Sequence, residues 1–322
     1  MAKHRCAILD DYQSVALEMA DWSKVEGDLE IKVFSEPMGG PDEVARALKG
    51  FAIICAMRER TPFPRQLIEA LPDLRLLITT GMVNRAIDLE AAKARNVVVC
   101  GTPSFGNPTT GIAWGLILEL TRRIGFENAR LKSGALWQSV VGTDVEGLTL
   151  GVIGLGKLAA RVAEVGKAFR MKVVAWSQNI TPERAAAAGV AYAASKKELL
   201  RQADIVSIHI PLTPKSRGLI GAGELALMKP SALLVNTSRG PIVEEAALLA
   251  ALREKKIAGA GFDVYDVEPL PLTHPLRKLD NVVLTPHLGY VSQQNYRAYF
   301  AGVVEDIRGF LDGKPVRVLT AT

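Results

Sequence analysis

The sequence predicts an α/β protein of two doubly wound parallel-sheet domains. Three observations carry that expectation. Short apolar runs alternate with helix-patterned stretches over residues 1–100, and the alternation begins again over 149–285. A run of turn formers, Gly101-Thr102-Pro103-Ser104-Phe105-Gly106-Asn107-Pro108, separates the two series. The second series opens on Gly154-Leu155-Gly156-Lys157-Leu158-Ala159, set between an apolar run and a helical stretch.

In the first series, Arg5–Leu9, Leu29–Phe34, Phe51–Cys55, Leu74–Ile78 and Val97–Cys100 read as strands. Pro41–Leu48, with proline at its start, and Asp88–Ala94 read as helices. Alternating strands and helices imply a parallel sheet covered on both faces. Residues 1–100 are therefore expected to form one domain, completed by 290–322, where the chain turns helical from Val291 through Leu311. Residues 101–289 are expected to form the other. Its first segment, Thr109–Arg123, is apolar on nearly all sides, through Ile112, Trp114, Leu116, Ile117 and Leu120. Such a helix is either deeply buried or part of a subunit interface. The second option, with Trp137 as an anchor across a two-fold axis, predicts a homodimer.

Thr149–Ile153 is a strand, Leu158, Val162, Val165 and Phe169 recur at helical spacing, and Lys172–Trp176 is the next strand. In the turn between them, Gly154 permits the tight bend and Gly156 lets a pyrophosphate approach bare backbone. Ala159 lets the helix lie close to the sheet. Free N–H groups and the helix dipole favour phosphate at that helix start. The stretch predicts a Rossmann dinucleotide-binding domain, with NAD as cofactor and NADP as the alternative. Ile205–Ile210, Ala232–Asn236, Ala258–Val264 and Val282–Thr285 complete the strands, and Glu244–Arg253 is a helix between two of them.

Composition bounds the function. Charged residues make up 23% and apolar residues 48%, as in an ordinary globular protein. No apolar run is long enough to span a bilayer, and MAKHRCAILDD enters a strand directly, so neither membrane nor signal peptide is expected. Cys6, Cys55 and Cys100 lie in or beside strand-like runs without disulfide or metal spacing, as in a reducing, cytoplasmic compartment. The net charge of +5 is scattered rather than striped, which disfavours nucleic acid and suits a small acidic substrate.

The second half of the chain resembles the D-isomer-specific 2-hydroxyacid dehydrogenases, which include phosphoglycerate dehydrogenase. The resemblance rests on Leu150–Ser177, on Leu199–Pro211 continuing through Ser216–Leu219, and on Met228-Lys229-Pro230 through Asn236-Thr237-Ser238-Arg239-Gly240-Pro241-Ile242-Val243. Gly261-Phe262-Asp263-Val264, Glu268-Pro269 and Pro286-His287-Leu288-Gly289 complete it, and the likeness covers nearly the whole chain. It implies a smaller, flavodoxin-like substrate domain beside the Rossmann domain. It also implies hydride transfer between nicotinamide C4 and C2 of a 2-hydroxy or 2-keto acid.

In that chemistry His287 is the acid/base and Glu268 fixes its tautomer and stabilises the imidazolium. Arg239 grips the substrate carboxylate. The resemblance places Gly154, Gly156, Lys157, Leu158, Ser177, Gln178, His209, Pro211, Thr237, Ser238 and Asp263 around the cofactor. Asp263 either receives the nicotinamide carboxamide or caps a loop, and His209 is structural or at the cofactor edge. His4 and His274 carry no motif and read as solvated.

The chain departs from the family pattern at three places. Ala159 stands where glycine is usual. Ser177 stands where NAD enzymes usually carry an acid, with Arg184 the first arginine able to meet a 2′-phosphate. In the substrate loop Thr80-Gly81-Met82-Val83-Asn84-Arg85, Val83 and Arg85 replace a glycine and an acid common in relatives. Gly81, Met82 and Val83 are expected to offer amides to a carboxylate. Arg58-Glu59-Arg60-Thr61 is similar to an Arg-x-Arg-Thr stretch of phosphoglycerate dehydrogenases, where Arg58 and Arg60 would meet an acidic substrate. It reads equally as a solvated charged loop. A second function remains open, a nicotinamide-sensing interaction protein like the corepressors that share this fold.

Overall fold

The computed structural model describes residues 3–321. The chain divides into two compact units, Met1–Gly106 with Ser292–Thr322, and Asn107–Val291.

The first unit is built on β1 (His4–Ile8), β2 (Leu29–Val33), β3 (Ile53–Ala56), β4 (Leu76–Thr79) and β5 (Val98–Gly101). They form one parallel sheet in the order β2-β1-β3-β4-β5. Every residue of β3 and β4 is buried, because helices cover both faces of a parallel sheet. That is why these strands read as unbroken apolar runs. Helices α1 (Pro41–Ala47), α2 (Arg65–Ala70) and α3 (Leu89–Ala94) lie between strands. Asp88 starts α3 by accepting the Ala91 N–H at 2.8 Å, which satisfies one of the donors a helix start leaves open.

The second unit begins with α4 (Thr109–Arg122) and α5 (Ile124–Lys132). Its strands are β6 (Thr149–Ile153), β7 (Lys172–Trp176), β8 (Ala191–Tyr192), β9 (Ile205–Ile208), β10 (Leu233–Asn236), β11 (Gly259–Phe262) and β12 (Val282–Leu284). All pair in parallel, in the order β12-β11-β10-β9-β6-β7-β8. The helices α6 (Lys157–Ala168), α7 (Pro182–Ala187), α8 (Lys196–Gln202), α9 (Ala222–Leu225) and α10 (Glu245–Arg253) connect them. The apolar character of α4 is accounted for inside this unit. Ala113, Trp114, Leu116 and Ile117 are buried in its core, and Trp114 stacks on Phe169 while donating to Val162 O at 3.2 Å. The exposed apolar surface lies further on, in α5 and the segment after it, where Leu136, Trp137 and Val141 are 94, 71 and 102% exposed.

The final helix, α11 (Gln293–Leu311), belongs to the first unit. Phe300 sits at ring distance from Trp22, and the chain beyond α11 returns to β5 as an antiparallel bridge, Cys100 to Val318. Arg317 holds this return by reaching Asp306 on α11 at 2.9 Å and Glu305 at 2.8 Å. Burial pushes the Asp306 carboxyl up to about 7, with the Arg317 guanidinium opposing and Glu305 adding to the rise. An acid raised in the folded state stabilises the fold while protonated, and that contribution is lost as pH rises through the folded value. Wild-type thermal stability is therefore expected to fall between about pH 4 and about pH 7, and Asp306→Asn, uncharged throughout, to flatten that slope in a melting series.

Candidate active site

The carboxyl ends of β6, β7, β9, β10, β11 and β12 carry the residues singled out in the second unit, as expected of ligand sites on open α/β sheets. Gly154, with φ of +100°, turns the chain out of β6 and donates to Trp176 O at 2.8 Å. A Cβ there would overlap the His209 carbonyl, so only glycine fits between the ends of β7 and β9. Gly156 caps α6, a Cβ on it would meet open space, and the first turn of α6 holds no acid. Lys157 is exposed, whereas Ala159 is fully buried against the sheet. This is a cradle of bare backbone at a helix start, and its chemistry fits a dinucleotide pyrophosphate. Two buried polar atoms at neighbouring strand ends, His209 Nδ1 and Thr237 Oγ1, find no hydrogen-bond partner, as the edge of a ligand site would leave them. Burial holds His209 at about 4, so it is neutral near pH 7, with Nε2 2.9 Å from Ser207 Oγ. Pro211 beyond it is exposed. At the end of β7, Ser177 is half-buried and Gln178 exposed, and Arg184 folds back on the same loop to donate to Asn179 O at 3.4 Å.

After β10 the buried Asn236 side chain clamps its own loop. Nδ2 donates to Arg239 O at 2.9 Å and Oδ1 accepts from Ser238 N at 3.0 Å. Ser238 Oγ ties the loop to β9 through Ile208 O at 2.8 Å. Arg239 Nη1 donates to Ser238 O at 2.7 Å. Gly240 follows because its bare Cα lies against the Tyr265 carbonyl and the Asp266 amide, where any Cβ would overlap. Tyr265 in turn donates its N–H to Glu268 Oε1 at 2.9 Å, so the arginine loop and the glutamate loop brace one another.

Glu268 Oε2 lies 2.6 Å from His287 Nδ1, with both side chains about one-fifth exposed (23 and 19%). His287 adopts φ of +55° and meets the Tyr290 ring edge-on at 5.5 Å. Asp263 holds this loop in place. Its Oδ1 accepts from Thr285 Oγ1 at 2.6 Å and Leu288 N at 2.7 Å, and its Oδ2 from Gly289 N at 2.8 Å. Of the two readings of Asp263, the loop-capping one is what these bonds describe. Burial raises its carboxyl above the usual range against the pull of those donors and of His287.

His274 corrects the reading of it as solvated. Its side chain is 11% exposed, Nε2 lies 3.1 Å from Glu245, and Nδ1 accepts from Leu276 N at 3.3 Å. It ties the loop that follows Glu268 to α10. The tie joins residues far apart in sequence, so no local pattern announced it.

The first unit presents Arg58, Arg60, Gly81, Met82 and Val83 beyond the carboxyl ends of β3 and β4. Arg58 is half-buried, donates from Nη1 to Thr80 O at 3.2 Å and lies across bare Gly81. The expectation that Gly81 offers its amide is corrected, because that N–H is spent on the buried Thr102 Oγ1 at 3.0 Å. Met82 and Val83 are exposed. Sequence reading missed Asn236, Tyr265 and Tyr290 as site residues. Only Asn236 carried a local signal, since asparagine commonly bonds the backbone of its own turn. Among the described residues no group of three or more His, Cys, Asp or Glu is placed to hold a metal ion, and no helix is long and apolar enough to cross a membrane.

Residues 114–289 match the model of the D-isomer specific 2-hydroxyacid dehydrogenase, NAD binding domain. The glyoxylate reductase of Aeropyrum pernix is 38% identical over 257 residues, covering 77% of this chain and 76% of that protein. The D-3-phosphoglycerate dehydrogenase of Methanocaldococcus jannaschii is 36% identical over 82% of this chain, which spans half (50%) of that protein's length. The crystal structure of a phosphoglycerate oxidoreductase from Vibrio cholerae O395 superposes with a TM-score of 0.91 at 34% identity, covering 96% of this chain and 99% of that one.

Proposed function

The chain belongs to the D-isomer-specific 2-hydroxyacid dehydrogenase family, and from this we propose that it works as a 2-ketoacid reductase with His287, Glu268 and Arg239 at its centre. It is an oxidoreductase that uses a nicotinamide dinucleotide on a small 2-hydroxy or 2-keto acid. The observation that carries the assignment of roles is the 2.6 Å contact between His287 Nδ1 and Glu268 Oε2. A carboxylate on Nδ1 fixes the tautomer, stabilises the imidazolium and assigns proton exchange to Nε2. In reduction, His287 gives that proton to the carbonyl oxygen of the keto acid. Arg239 binds the carboxylate and polarises the carbonyl. When bound, the dinucleotide supplies the hydride for C2. Gly154, Gly156, Lys157 and Leu158 would hold its pyrophosphate, Ser177 and Gln178 its ribose, and His209, Pro211, Thr237, Ser238 and Asp263 its nicotinamide side. In this reading residues 107–291 are the cofactor domain, and Arg58, Arg60, Met82 and Val83 of the first unit serve the substrate. The named relatives are reductases and dehydrogenases, which favours catalysis over the corepressor-like alternative.

Reduction of a panel of 2-ketoacids, followed by loss of reduced-nicotinamide absorbance, tests the reading, and no turnover with any of them would overturn it. Cofactor choice is expected to be relaxed with a lean to NAD(H), because Ser177 neither repels nor neutralises a 2′-phosphate. A preference for NADPH above roughly a hundredfold in kcat/KM, about 2.7 kcal/mol, would refute the lean. Loss of NADPH use alone in Arg184→Ala would then assign the phosphate to that arginine. We also propose a homodimer formed through the second unit. The support is the exposed apolar stretch of Leu131, Leu136, Trp137 and Val141, larger than single scattered side chains require. Light scattering should give twice the 34.7 kDa chain mass, and Trp137→Asp should shift the mass toward the monomer.

A further inference from the structure

Three loops of the second unit carry Arg239, Glu268 and His287, and Tyr265 touches all three. Its carbonyl lies against the bare Cα of Gly240, next to Arg239, where a Cβ would overlap it. Its N–H donates to Glu268 Oε1 at 2.9 Å, and Oε2 of the same carboxylate meets His287 Nδ1 at 2.6 Å. Its side chain is buried and carries the hydroxyl to the carboxyl ends of β11 and β12, 3.1 Å from Phe262 O and 2.9 Å from Thr285 O. A phenol has one proton to give. Phe262 O already accepts the Thr285 N–H at 2.9 Å, so the shorter contact, to Thr285 O, is the one the hydroxyl serves. Thr285 O also accepts the His287 N–H at 3.0 Å. The hydroxyl and the histidine backbone therefore meet on one carbonyl. Burial, with the charges of Asp263 and Glu268 adding and Arg277 opposing, raises the phenol well above its ordinary value, so it stays a neutral donor.

We propose that Tyr265 is a positioning residue for the acid/base pair: its N–H holds Glu268, its hydroxyl holds the His287 backbone through Thr285 O, and its rigid ring sets the distance between them. The proposal rests on the reading of His287 and Glu268 as that pair. The two residues stand on different loops, and a short charge-assisted contact loses strength quickly when either loop drifts. Asp263 secures the histidine loop through Thr285 Oγ1, Leu288 N and Gly289 N. Tyr265 ties that loop to the glutamate. Glu268, Asp263 and the Tyr290 ring face His287, and removing the Tyr265 hydroxyl alters none of them chemically. Tyr265 touches no substrate in this account, and it acts on the proton that His287 exchanges.

Tyr265→Phe keeps the ring and the N–H on Glu268 and removes the hydroxyl alone. The first measurement is a magnetic-resonance titration of the unliganded protein, isotope-labelled at histidine, with the His287 ring assigned by its absence in His287→Ala. In Tyr265→Phe the ring should titrate roughly half a pH unit or more below its wild-type position, because a loosened carboxylate stabilises the imidazolium less. In 2-ketoacid reduction the limb that falls with rising pH should move down with it. At neutral pH kcat should fall about threefold to tenfold with the ketoacid KM unchanged, since Arg239 keeps its loop. A merely structural hydroxyl would lower the melting temperature and leave both pH readings in place, and that result would overturn the proposal. In a Glu268→Gln background Tyr265→Phe should move the His287 titration no further. A second shift as large as the first would show that the hydroxyl does not act through Glu268, and the proposal would fall. The titration needs no turnover. If wild type reduces no 2-ketoacid while Tyr265→Phe shifts His287, the reductase reading fails and the positioning of His287 by Tyr265 stands. If wild type reduces them and Tyr265→Phe shifts nothing, only this inference fails.

Discussion

His287→Ala should lower kcat by roughly a hundredfold to ten-thousandfold while substrate affinity changes little. In the proposed mechanism the proton passes through the His287 ring, and alanine leaves nothing to replace it. Its loop does not depend on the ring. Asp263 holds that loop through Leu288 N, Gly289 N and Thr285 Oγ1, none of which the substitution touches. Steady-state kinetics with a good 2-ketoacid, together with circular dichroism to confirm the fold, would check this. Near-normal rates would remove His287 from the mechanism. Glu268→Gln is the companion measurement. It keeps an acceptor near Nδ1 but removes the charge that balances an imidazolium, so the limb on which reduction falls with rising pH should move to lower pH. If Glu268 served only as a turn residue before Pro269, the profile would stay in place.

Arg239→Ala should raise KM and lower kcat together. In the proposed mechanism the guanidinium grips the carboxylate in ground state and transition state alike, and it also polarises the carbonyl as charge develops. Losing a charge-assisted, two-pronged contact costs about 2–5 kcal/mol, or roughly thirtyfold to several thousandfold in kcat/KM. The loop itself should survive, because Asn236 clamps it through the Arg239 backbone carbonyl rather than the side chain. Arg239→Lys separates the two contributions. It keeps the charge and loses the fork, so recovery to near wild-type rates would argue that the fork geometry is not needed. An unchanged KM in Arg239→Ala would place the carboxylate elsewhere.

The sequence by itself determined the parallel α/β architecture and pointed to the residues of the proposed centre. Strands buried on both faces must be apolar throughout, and that pattern is local, so β3, β4, β6, β9 and β10 could be read within a residue or two. The Gly154-x-Gly156 turn was legible because its conformation and its open space are backbone properties. The arginine, glutamate and histidine were legible because each stands in a motif just past a strand end. The two-residue β8 and the helix α5 were not, since two residues have no period and α5 buries no residue that would give it an apolar face. The tertiary structure decided what depends on partners distant in the chain. It buried α4 within one unit, where the sequence left burial and interface both open. It gave Asp263 the histidine loop to hold, and it spent the Gly81 amide on Thr102. It drew His274 onto Glu245 and set Asp10 against Thr61, 51 residues away. Periodicity and motif report what a residue requires of its own neighbourhood. Which polar group satisfies which, and so which charges remain for a substrate, is fixed only when the loops at the strand ends are brought side by side.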